Sequence, residues 1–218
     1  MPRNSKRSFS PQVDDPNYLT MSYLSRERWI SFWYQLMEVT ETKPESVLEI
    51  GPGPGIVIRA IRDFGVFGVT ADVDFRLRPT VGTDITKLPF VDKAFDCVLA
   101  AEVLEHIPFA EVPKALTEIS RVCRKSMVIT LPHFSQFSPS FALKFFPYVP
   151  RLQKAFPISI FPPKHRFDGQ HYWEIGKRGY PISRIRNLLA ENTGFRLIKD
   201  YLIEENPFHH MFVLKKNQ

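Results

Sequence analysis

Short β-type runs alternate with helix-type runs from residue 44 to about residue 133, and this alternation constrains the fold more than any other feature. The helix-type runs carry apolar residues at helical spacing and cover 56–64 and 111–123. The β-type runs are apolar along their length, as in strands covered on both faces of a sheet. The pattern predicts a parallel sheet with crossover helices, whose strands lie at 46–50, 67–73, a very short stretch around 81, 95–99 and 126–131.

The C-terminal part adds one helix and two strands. Apolar residues share one helical face over 182–192, and strand-like runs follow at 195–203 and 209–216. Residues 204–208 join these runs, and a turn is predicted at the step from Asn206 to Pro207. We therefore expect an antiparallel pair of strands at one end of the sheet.

Length and composition favour one folded domain. A chain of 218 residues has room for one core, and 44% hydrophobic with 24% charged residues is typical of globular proteins. Residues 1–17 are expected to form a flexible arm and 18–218 a single domain. The net charge of +6 could suit an anionic partner, but the basic residues are scattered as on an ordinary solvated surface.

The sequence lacks the patterns that would indicate a membrane span, a signal peptide, a disulfide framework or a zinc site. No apolar run approaches the ~20 residues that span a bilayer, and no signal-peptide pattern follows the first basic residues, so a cytoplasmic protein is expected. Cys97 and Cys123 lie in apolar segments without a CxxC pair. They are predicted to be reduced core residues rather than part of a disulfide framework or a zinc knuckle, and no metal site is predicted.

A glycine-rich turn follows the first strand and precedes the first crossover helix. Gly51, Gly53 and Gly55 give the pattern GxGxG in VLEIGPGPG. A turn of this kind lets backbone approach a ligand closely, and the N–H groups at the helix start favour acceptors on that ligand. Dinucleotide-binding folds have the pattern GxGxxG, but here Ile56 occupies the position of the third glycine. Pro52 and Pro54 also remove two backbone donors, so NAD and FAD are disfavoured as ligands.

Three segments together carry a family resemblance. They are EIGPGPG, Asp72 in VTADVD at 17 residues after Gly55, and TDITKLPFVDKAFDCVLAAEVLEHIP at 83–108. Over roughly 46–133 the chain resembles the class I S-adenosylmethionine-dependent methyltransferases, in particular those that carry VLEH. The resemblance implies an α/β, Rossmann-like, mostly parallel seven-stranded sheet with helices on both faces and an antiparallel final strand. It also implies S-adenosyl-L-methionine as cofactor and S-adenosyl-L-homocysteine as product.

The resemblance also assigns cofactor-binding roles. Glu49 and the glycine turn would hold the methionine end, and Asp72 would accept hydrogen bonds from the ribose hydroxyls. Val73 and Ile85 would pack on adenine, Asp84 would accept from its amino group, and Glu102 would lie beside the sulfonium. The implied cofactor residues are Glu49, Gly51, Pro52, Gly53, Gly55, Asp72, Val73, Asp84, Ile85 and Glu102.

Two further aspartates receive structural interpretations. Asp74 could cap the next turn and ranks below Asp72 as a ribose ligand, and Asp96 begins a strand at the end remote from the ligand. Few residues separate Asp72 from Asp84, so the helix that the family usually has there must be short or absent.

Methyl transfer from a sulfonium is a direct displacement, so the protein mainly aligns the reactants and excludes water. A general base is needed only where the acceptor must lose a proton. The catalytic candidates are His133, which ends the fifth strand, and His106, which follows the fourth, because both lie toward the ligand face of a parallel sheet. Either could instead be a structural histidine.

An insertion at 134–181, rich in aromatic residues and proline, falls where this family builds its acceptor lid, and so does the helix predicted at 18–40. The residues expected to contact the acceptor are Tyr23, Phe134, Tyr172 and Trp173. Interleaved basic residues suit a bulky or partly apolar acceptor with a polar or anionic group. The same aromatics could form a satellite core under a long loop, or a lid that makes peripheral contact with a membrane.

The leading hypothesis is a methyltransferase acting on a small molecule. An RNA or protein methyltransferase is the alternative; amino-directed base methyltransferases carry NPPY or DPPY where this chain reads AAEV, so nucleic acid is not the expected partner. A non-catalytic protein that keeps the S-adenosylmethionine pocket and an NAD-dependent reductase are the other readings. The oligomeric state is not predicted.

Overall fold

The computed structural model of the chain describes residues 20–143 and 152–216. The predicted arm at 1–17 and residues 144–151 of the insertion lie outside the described residues.

A seven-stranded sheet forms the centre of the fold, in the order β3-β2-β1-β4-β5-β9-β8. The first five strands are parallel, β9 runs antiparallel to β5, and β8 runs antiparallel to β9. This confirms the predicted Rossmann-like class and its antiparallel final strand. The strands are β1 (Ser46–Ile50), β2 (Phe67–Asp72), β3 (Val81–Gly82), β4 (Phe95–Ala101), β5 (Cys123–Pro132), β8 (Phe195–Ile203) and β9 (Asn206–Lys216). A separate antiparallel hairpin pairs β6 (Ser140–Leu143) with β7 (Leu152–Ala155).

Four α-helices cover the two faces of the sheet. They are α1 (Arg26–Glu41), α2 (Ile56–Asp63), α3 (Val112–Val122) and α4 (Ile182–Thr193). Side chains alternate between the faces along each strand, so Cys97 and Leu99 of β4 pack in the cluster of α1 and α2, while Val98 and Ala100 pack in the cluster of α3 and α4. The two clusters leave the carboxyl ends of the parallel strands as the place for a site.

Two predicted boundaries are wrong for local reasons. The first helix begins at Arg26 rather than at residue 18, because the Ser25 side chain accepts a hydrogen bond from the Arg28 N–H and caps the helix there. A 3-10 turn at Met21–Tyr23 precedes it. The turn between β8 and β9 is Glu204-Glu205, because Ile203 pairs directly with Asn206; the step from Asn206 to Pro207 lies inside β9.

The connection between Asp72 and Asp84 is short, as predicted. It holds a 3-10 turn at Phe75–Leu77 and the two residues of β3. Asp96 also has the structural role predicted for it, since its carboxylate accepts from the Glu45 N–H and pairs with Arg124 and Lys125. In the part of the chain that the structure describes, no helix is both long and apolar enough to cross a membrane.

Candidate functional site

The glycine turn between β1 and α2 needs its glycines. Gly51, Gly53 and Gly55 have φ of 67°, 51° and 67°, in the left-handed region that side chains disfavour. A Cβ added to Gly51 would clash with Cγ2 of Val103, so a side chain at this position requires Val103 or the turn to move. The backbone of the turn therefore packs directly on the segment after β4, and α2 begins immediately after Gly55.

Glu49 lies beneath this turn. The residue is buried, and its Oε2 accepts a hydrogen bond of 3.0 Å from the N–H of Ile58 in the first turn of α2. Burial, opposed by that hydrogen bond, raises the pKa of Glu49 to about 8. This hydrogen bond joins the end of β1 to the first turn of α2, on either side of the glycine turn. The sequence did not predict this structural role for Glu49.

Asp72 ends β2 beside the glycine turn and is partly exposed. Its Oδ1 accepts a hydrogen bond of 2.8 Å from the Asp74 N–H, and burial raises the pKa of Asp72 to about 6. The neighbouring Asp74 is engaged by the guanidinium and N–H of Arg76 and caps the 3-10 turn. Of the two carboxylates, Asp72 is therefore the one with acceptor capacity left for a ligand.

The predicted adenine contacts follow the same edge of the sheet. Val73 is half-buried, and Ile85 is buried in the core cluster on the α3 and α4 side. Asp84 Oδ1 accepts a hydrogen bond of 2.7 Å from the N–H of Thr86. Asp72 and Asp84 flank the two-residue strand β3, so the structure brings these residues together.

Glu102 follows β4 in a strained backbone conformation. Its φ is 53°, which costs a residue other than glycine about 1–3 kcal/mol and is concentrated at functional sites. Within 20–143 and 152–216 its buried Oε1 has no hydrogen-bond partner, and its Oε2 lies 3.6 Å from Nε2 of His209. Burial raises the pKa of Glu102 to about 7. An unpaired acceptor of this kind is suited to a positively charged ligand group.

His133 begins a chain of hydrogen bonds that the sequence did not reveal. Its Nδ1 lies 2.9 Å from Nδ1 of His210, and Nε2 of His210 lies 2.6 Å from Oδ1 of Asp200. Arg186 pairs with the other oxygen of Asp200. Burial, with the positive charge of Arg186 acting in the same direction, lowers the pKa of His133 to about 4.

The tautomers follow from this chain. Asp200 can only accept, so the Nε2 of His210 carries a proton, and a neutral His210 offers a bare Nδ1. His133 then donates from its own Nδ1 and keeps an unprotonated Nε2. That nitrogen has the lone pair that a general base requires.

His106, the second catalytic candidate, lies in a cluster with residues of the insertion. Its Nδ1 is 3.0 Å from the Gln170 carbonyl oxygen, and its ring centroid is 5.1 Å from that of His171. Burial lowers the pKa of His106 to about 4. The preceding Glu105 is fully buried, and neither oxygen of its carboxyl group has a hydrogen-bond partner in the part of the chain that the structure describes.

Sequence reasoning missed Glu105 and His171 because they lie 66 positions apart and only the path of the insertion joins them. The N–H of Tyr172 donates to the carbonyl oxygen of Glu105, which fixes this path. The one available signal was DGQHYWE, where Asp168, His171 and Glu174 recur every third residue.

Three of the four predicted acceptor contacts lie at the surface of this region. Phe134 and Tyr172 are half-buried, and Tyr23 accepts a hydrogen bond of 2.8 Å from Arg28. Burial, together with the charge of Glu102, raises the pKa of Tyr23 although Arg28 acts to lower it, so Tyr23 is within electrostatic reach of Glu102.

Trp173 does not line the site. The side chain is fully buried in the core cluster and packs edge to face on Phe109, with ring centroids 5.1 Å apart. The structure thus corrects the expectation that this residue touches the acceptor: its large apolar ring fills the core between the insertion and α4.

Comparisons with known proteins bear on this arrangement. Residues 48–130 match the family model of a methyltransferase domain. Over 118 residues the chain is 30% identical to an uncharacterized protein of Methanocaldococcus jannaschii; the alignment covers 51% of each, so the chain matches about half the length of that curated relative.

Solved structures share the fold. The CcbJ methyltransferase of Streptomyces caelestis gives a TM-score of 0.63 at 13% identity, covering 97% of this chain and 100% of that one. The 1,6-didemethyltoxoflavin-N1-methyltransferase of Burkholderia thailandensis, solved with 1,6-didemethyltoxoflavin and S-adenosylhomocysteine, gives a TM-score of 0.54 at 14% identity, covering 79% of this chain and 71% of that one.

Proposed function

We propose that the chain is a class I S-adenosylmethionine-dependent methyltransferase, which moves a methyl group from S-adenosyl-L-methionine to a small, bulky or partly apolar acceptor by direct displacement; the match of residues 48–130 to a methyltransferase domain and the shared fold support this. The proposal depends on one observation. The glycine turn packs closely against Val103 at Gly51 and lies next to the end of β2, where the carboxylate of Asp72 can still accept hydrogen bonds from a ligand. A ligand with a sugar edge and a charged end fits such a cleft.

The residues present fit this cofactor. The glycine turn leaves room for the methionine end near Glu49, and Asp72 can accept from two adjacent hydroxyl groups. Oε1 of Glu102, which has no hydrogen-bond partner among the described residues, is an acceptor that can face the positive sulfonium. The remaining contacts would come from Pro52, Gly53, Gly55, Val73, Asp84 and Ile85. When bound, the cofactor supplies an electrophilic methyl carbon.

The chain itself then has two tasks in the reaction. It holds the acceptor in line with the methyl carbon, and it takes a proton where the acceptor atom carries one. We assign the second task to His133, because Asp200 and His210 fix the tautomer in which its Nε2 is unprotonated. His106 is less suited to it, since it belongs to the Glu105 and His171 cluster.

The acceptor would bind between the insertion at 134–181 and the segment formed by the 3-10 turn at Met21–Tyr23 and α1. Tyr23, Phe134 and Tyr172 provide aromatic surface there, and Lys177, with its Nζ 4.9 Å from the ring centroid of Phe134, provides a positive charge. This combination supports an acceptor with an apolar body and a polar or anionic group. The exposed rings of Phe137 and Phe161 are the surface through which peripheral membrane contact would occur.

Labelled methyl donor tests the proposal and separates its alternatives. We would incubate the protein with methyl-labelled S-adenosylmethionine and cell extract, with Asp72→Ala as the inactive variant and the exposed Asp63→Ala as control. Label in the small-molecule fraction for wild type and Asp63→Ala, but not for Asp72→Ala, is expected. Label in RNA or protein would show that the acceptor is a macromolecule and not a small molecule. Cofactor binding without label transfer to any fraction would favour a non-catalytic binding protein.

A further inference from the structure

One group of side chains near Glu102 has no use in the mechanism above. It consists of Glu105, His106 and His171, and one donor atom from each lies within 4.8 Å of the others. Glu105 is fully buried, and neither of its oxygens has a hydrogen-bond partner within the described residues. A buried acceptor pair without donors is costly unless a cation satisfies it.

The two histidines are held as metal ligands usually are. Nδ1 of His106 donates to the backbone carbonyl of Gln170, which leaves the lone pair on Nε2, 4.0 Å from Oε1 of Glu105. Nδ1 of His171 lies 3.0 Å from Oε1 of Glu174, so its Nε2 is left for a ligand. A carbonyl or carboxylate behind each imidazole fixes ring orientation and tautomer in metal sites.

We propose that Glu105, His106 and His171 form a binding site for a divalent transition-metal ion such as Zn²⁺. Two imidazoles and one carboxylate are a common zinc ligand set. Ligand atoms around a tetrahedral zinc lie about 3.3–3.5 Å apart, given metal bonds of about 2.0–2.2 Å, so the side chains must close by roughly 1 Å. Glu105 and His106 belong to the 3-10 turn at Leu104–His106 and His171 belongs to the insertion, so none of the three ligands lies in a strand of the sheet.

A second arrangement around His171 is less favourable. Asp168 and Glu174 also lie close to that imidazole. However, Asp168 Oδ1 already accepts from the N–H groups of Gln170 and His171, and Glu174 is paired with Lys177. These carboxylates have donors already, whereas Glu105 has none, so Glu105 gains most from a cation.

Three protein ligands leave one position open, as in catalytic rather than structural zinc sites. Glu102 and Glu105 lie on the same short segment that follows β4, so the ion would lie near the end of the proposed cofactor site that we assign to the sulfonium. An oxygen of the acceptor would take the open position, and its proton would then be lost more easily. This last role rests on the proposed function, whereas binding of the ion does not.

The test is calorimetric titration of Zn²⁺ into tag-free, chelator-treated protein without cofactor or acceptor. We expect one Zn²⁺ per chain for the wild type. Glu105→Gln and His171→Ala should each weaken binding by more than about 100-fold, and Glu174→Gln by about 10- to 100-fold because it only orients His171. Asp168→Asn and the exposed Glu191→Gln should bind as the wild type does.

Titration of S-adenosylhomocysteine into each variant shows that it is folded, and separates this inference from the proposed function. Wild type that binds S-adenosylhomocysteine but no Zn²⁺ would overturn the metal site alone. The metal site would also be overturned if folded Glu105→Gln bound Zn²⁺ as tightly as the wild type does. A loss of Zn²⁺ affinity in Asp168→Asn alone would overturn it as well. Zn²⁺ binding without S-adenosylhomocysteine binding would instead overturn the proposed cofactor. If Glu105→Gln does not fold, His171→Ala decides.

Discussion

The imidazoles of His133 and His210 share one hydrogen bond, 2.9 Å between their Nδ1 atoms, so only one of the two nitrogens carries its proton. Asp200, on the far side of His210, decides which one. The unprotonated Nε2 of His133 is thus a property of the chain of three residues and not of His133 alone.

His210→Phe should lower the rate of methyl transfer by about 10²–10⁴-fold if the acceptor must lose a proton, since His133 would lose the partner that fixes its tautomer. Its affinity for S-adenosylhomocysteine should stay within about twofold, and the limb of the pH–rate profile that reports the base should shift. Arg186→Lys, which keeps a positive charge beside Asp200, is the control. A variant with unchanged rate and profile would remove His133 as the base.

Asp72→Asn should stabilise the ligand-free protein at pH 7.5. Burial raises the pKa of Asp72 to about 6 from its ordinary 3.8. The folded protein therefore binds this proton more tightly than the unfolded chain, and the resulting stability is complete below about pH 4 and lost as the pH rises through about 6. The amide avoids this loss, so urea unfolding should show a gain of at most about 3 kcal/mol at pH 7.5 and none at about pH 4. A less stable variant at both pH values would contradict this.

The same carboxyl group should link cofactor affinity to pH. Ribose hydroxyls donate to the carboxylate form, so the wild-type affinity for S-adenosylhomocysteine should fall as the pH drops through about 6, where Asp72 gains a proton. Asp72→Asn should bind weakly and show less dependence on pH over that range. Parallel pH dependences for the two proteins would assign the effect to another group.

Gly51→Ala should be more destabilising than Gly65→Ala. Both glycines have positive φ, 67° and 81°, so both substitutions carry backbone strain. Only at Gly51 would the new Cβ meet a neighbour, Val103 Cγ2 at 2.4 Å. The free energy of unfolding should fall by roughly 1–3 kcal/mol more for Gly51→Ala, measured by urea unfolding. Equal losses would mean that Val103 and the turn are not in contact.

Asp96→Ala should destabilise the protein without changing its cofactor site. Removing this buried carboxylate leaves the Glu45 N–H without its acceptor, at a cost of about 1.5–3 kcal/mol, whereas Arg124 and Lys125 are half-exposed and regain water. Although burial acts to raise the pKa of Asp96, these partners lower it overall, so its contribution is present above the ordinary pKa and is lost as the pH falls below it. Unchanged affinity of the folded fraction for S-adenosylhomocysteine is expected; weaker binding would contradict the structural role.

Local patterns predicted most of the sheet and its helices. The first strand was predicted at Ser46–Ile50 and β8 at Phe195–Ile203, with the bounds that the structure has, because apolar runs and glycine stops act within a few residues. The first helix was started too early because the Ser25 cap outweighs apolar residues further upstream. The turn was misplaced because the pairing of Ile203 with Asn206 outweighs the tendency of Asn206-Pro207 to form a turn.

The sequence predicted the site residues that follow the ends of strands. It did not predict the contacts that form where the long insertion packs back against the sheet. Asp72 and His133 follow strands, so topology alone brings them to one edge. Trp173 was placed in the site and lies in the core, since composition cannot tell which aromatic of an insertion turns inward. Glu105 and His171 meet only because Tyr172 is hydrogen-bonded to the segment after β4, and no sequence periodicity encodes that contact.

Calorimetric titration of S-adenosylhomocysteine tests the central claim most directly, because it needs no knowledge of the acceptor. The wild type and Asp63→Ala should bind one equivalent, and Asp72→Ala should bind more than about 100-fold more weakly, since two hydrogen bonds to a charged acceptor are worth about 1.5–3 kcal/mol each. Absence of binding by the wild type, or wild-type affinity in Asp72→Ala, would contradict the proposed cofactor site.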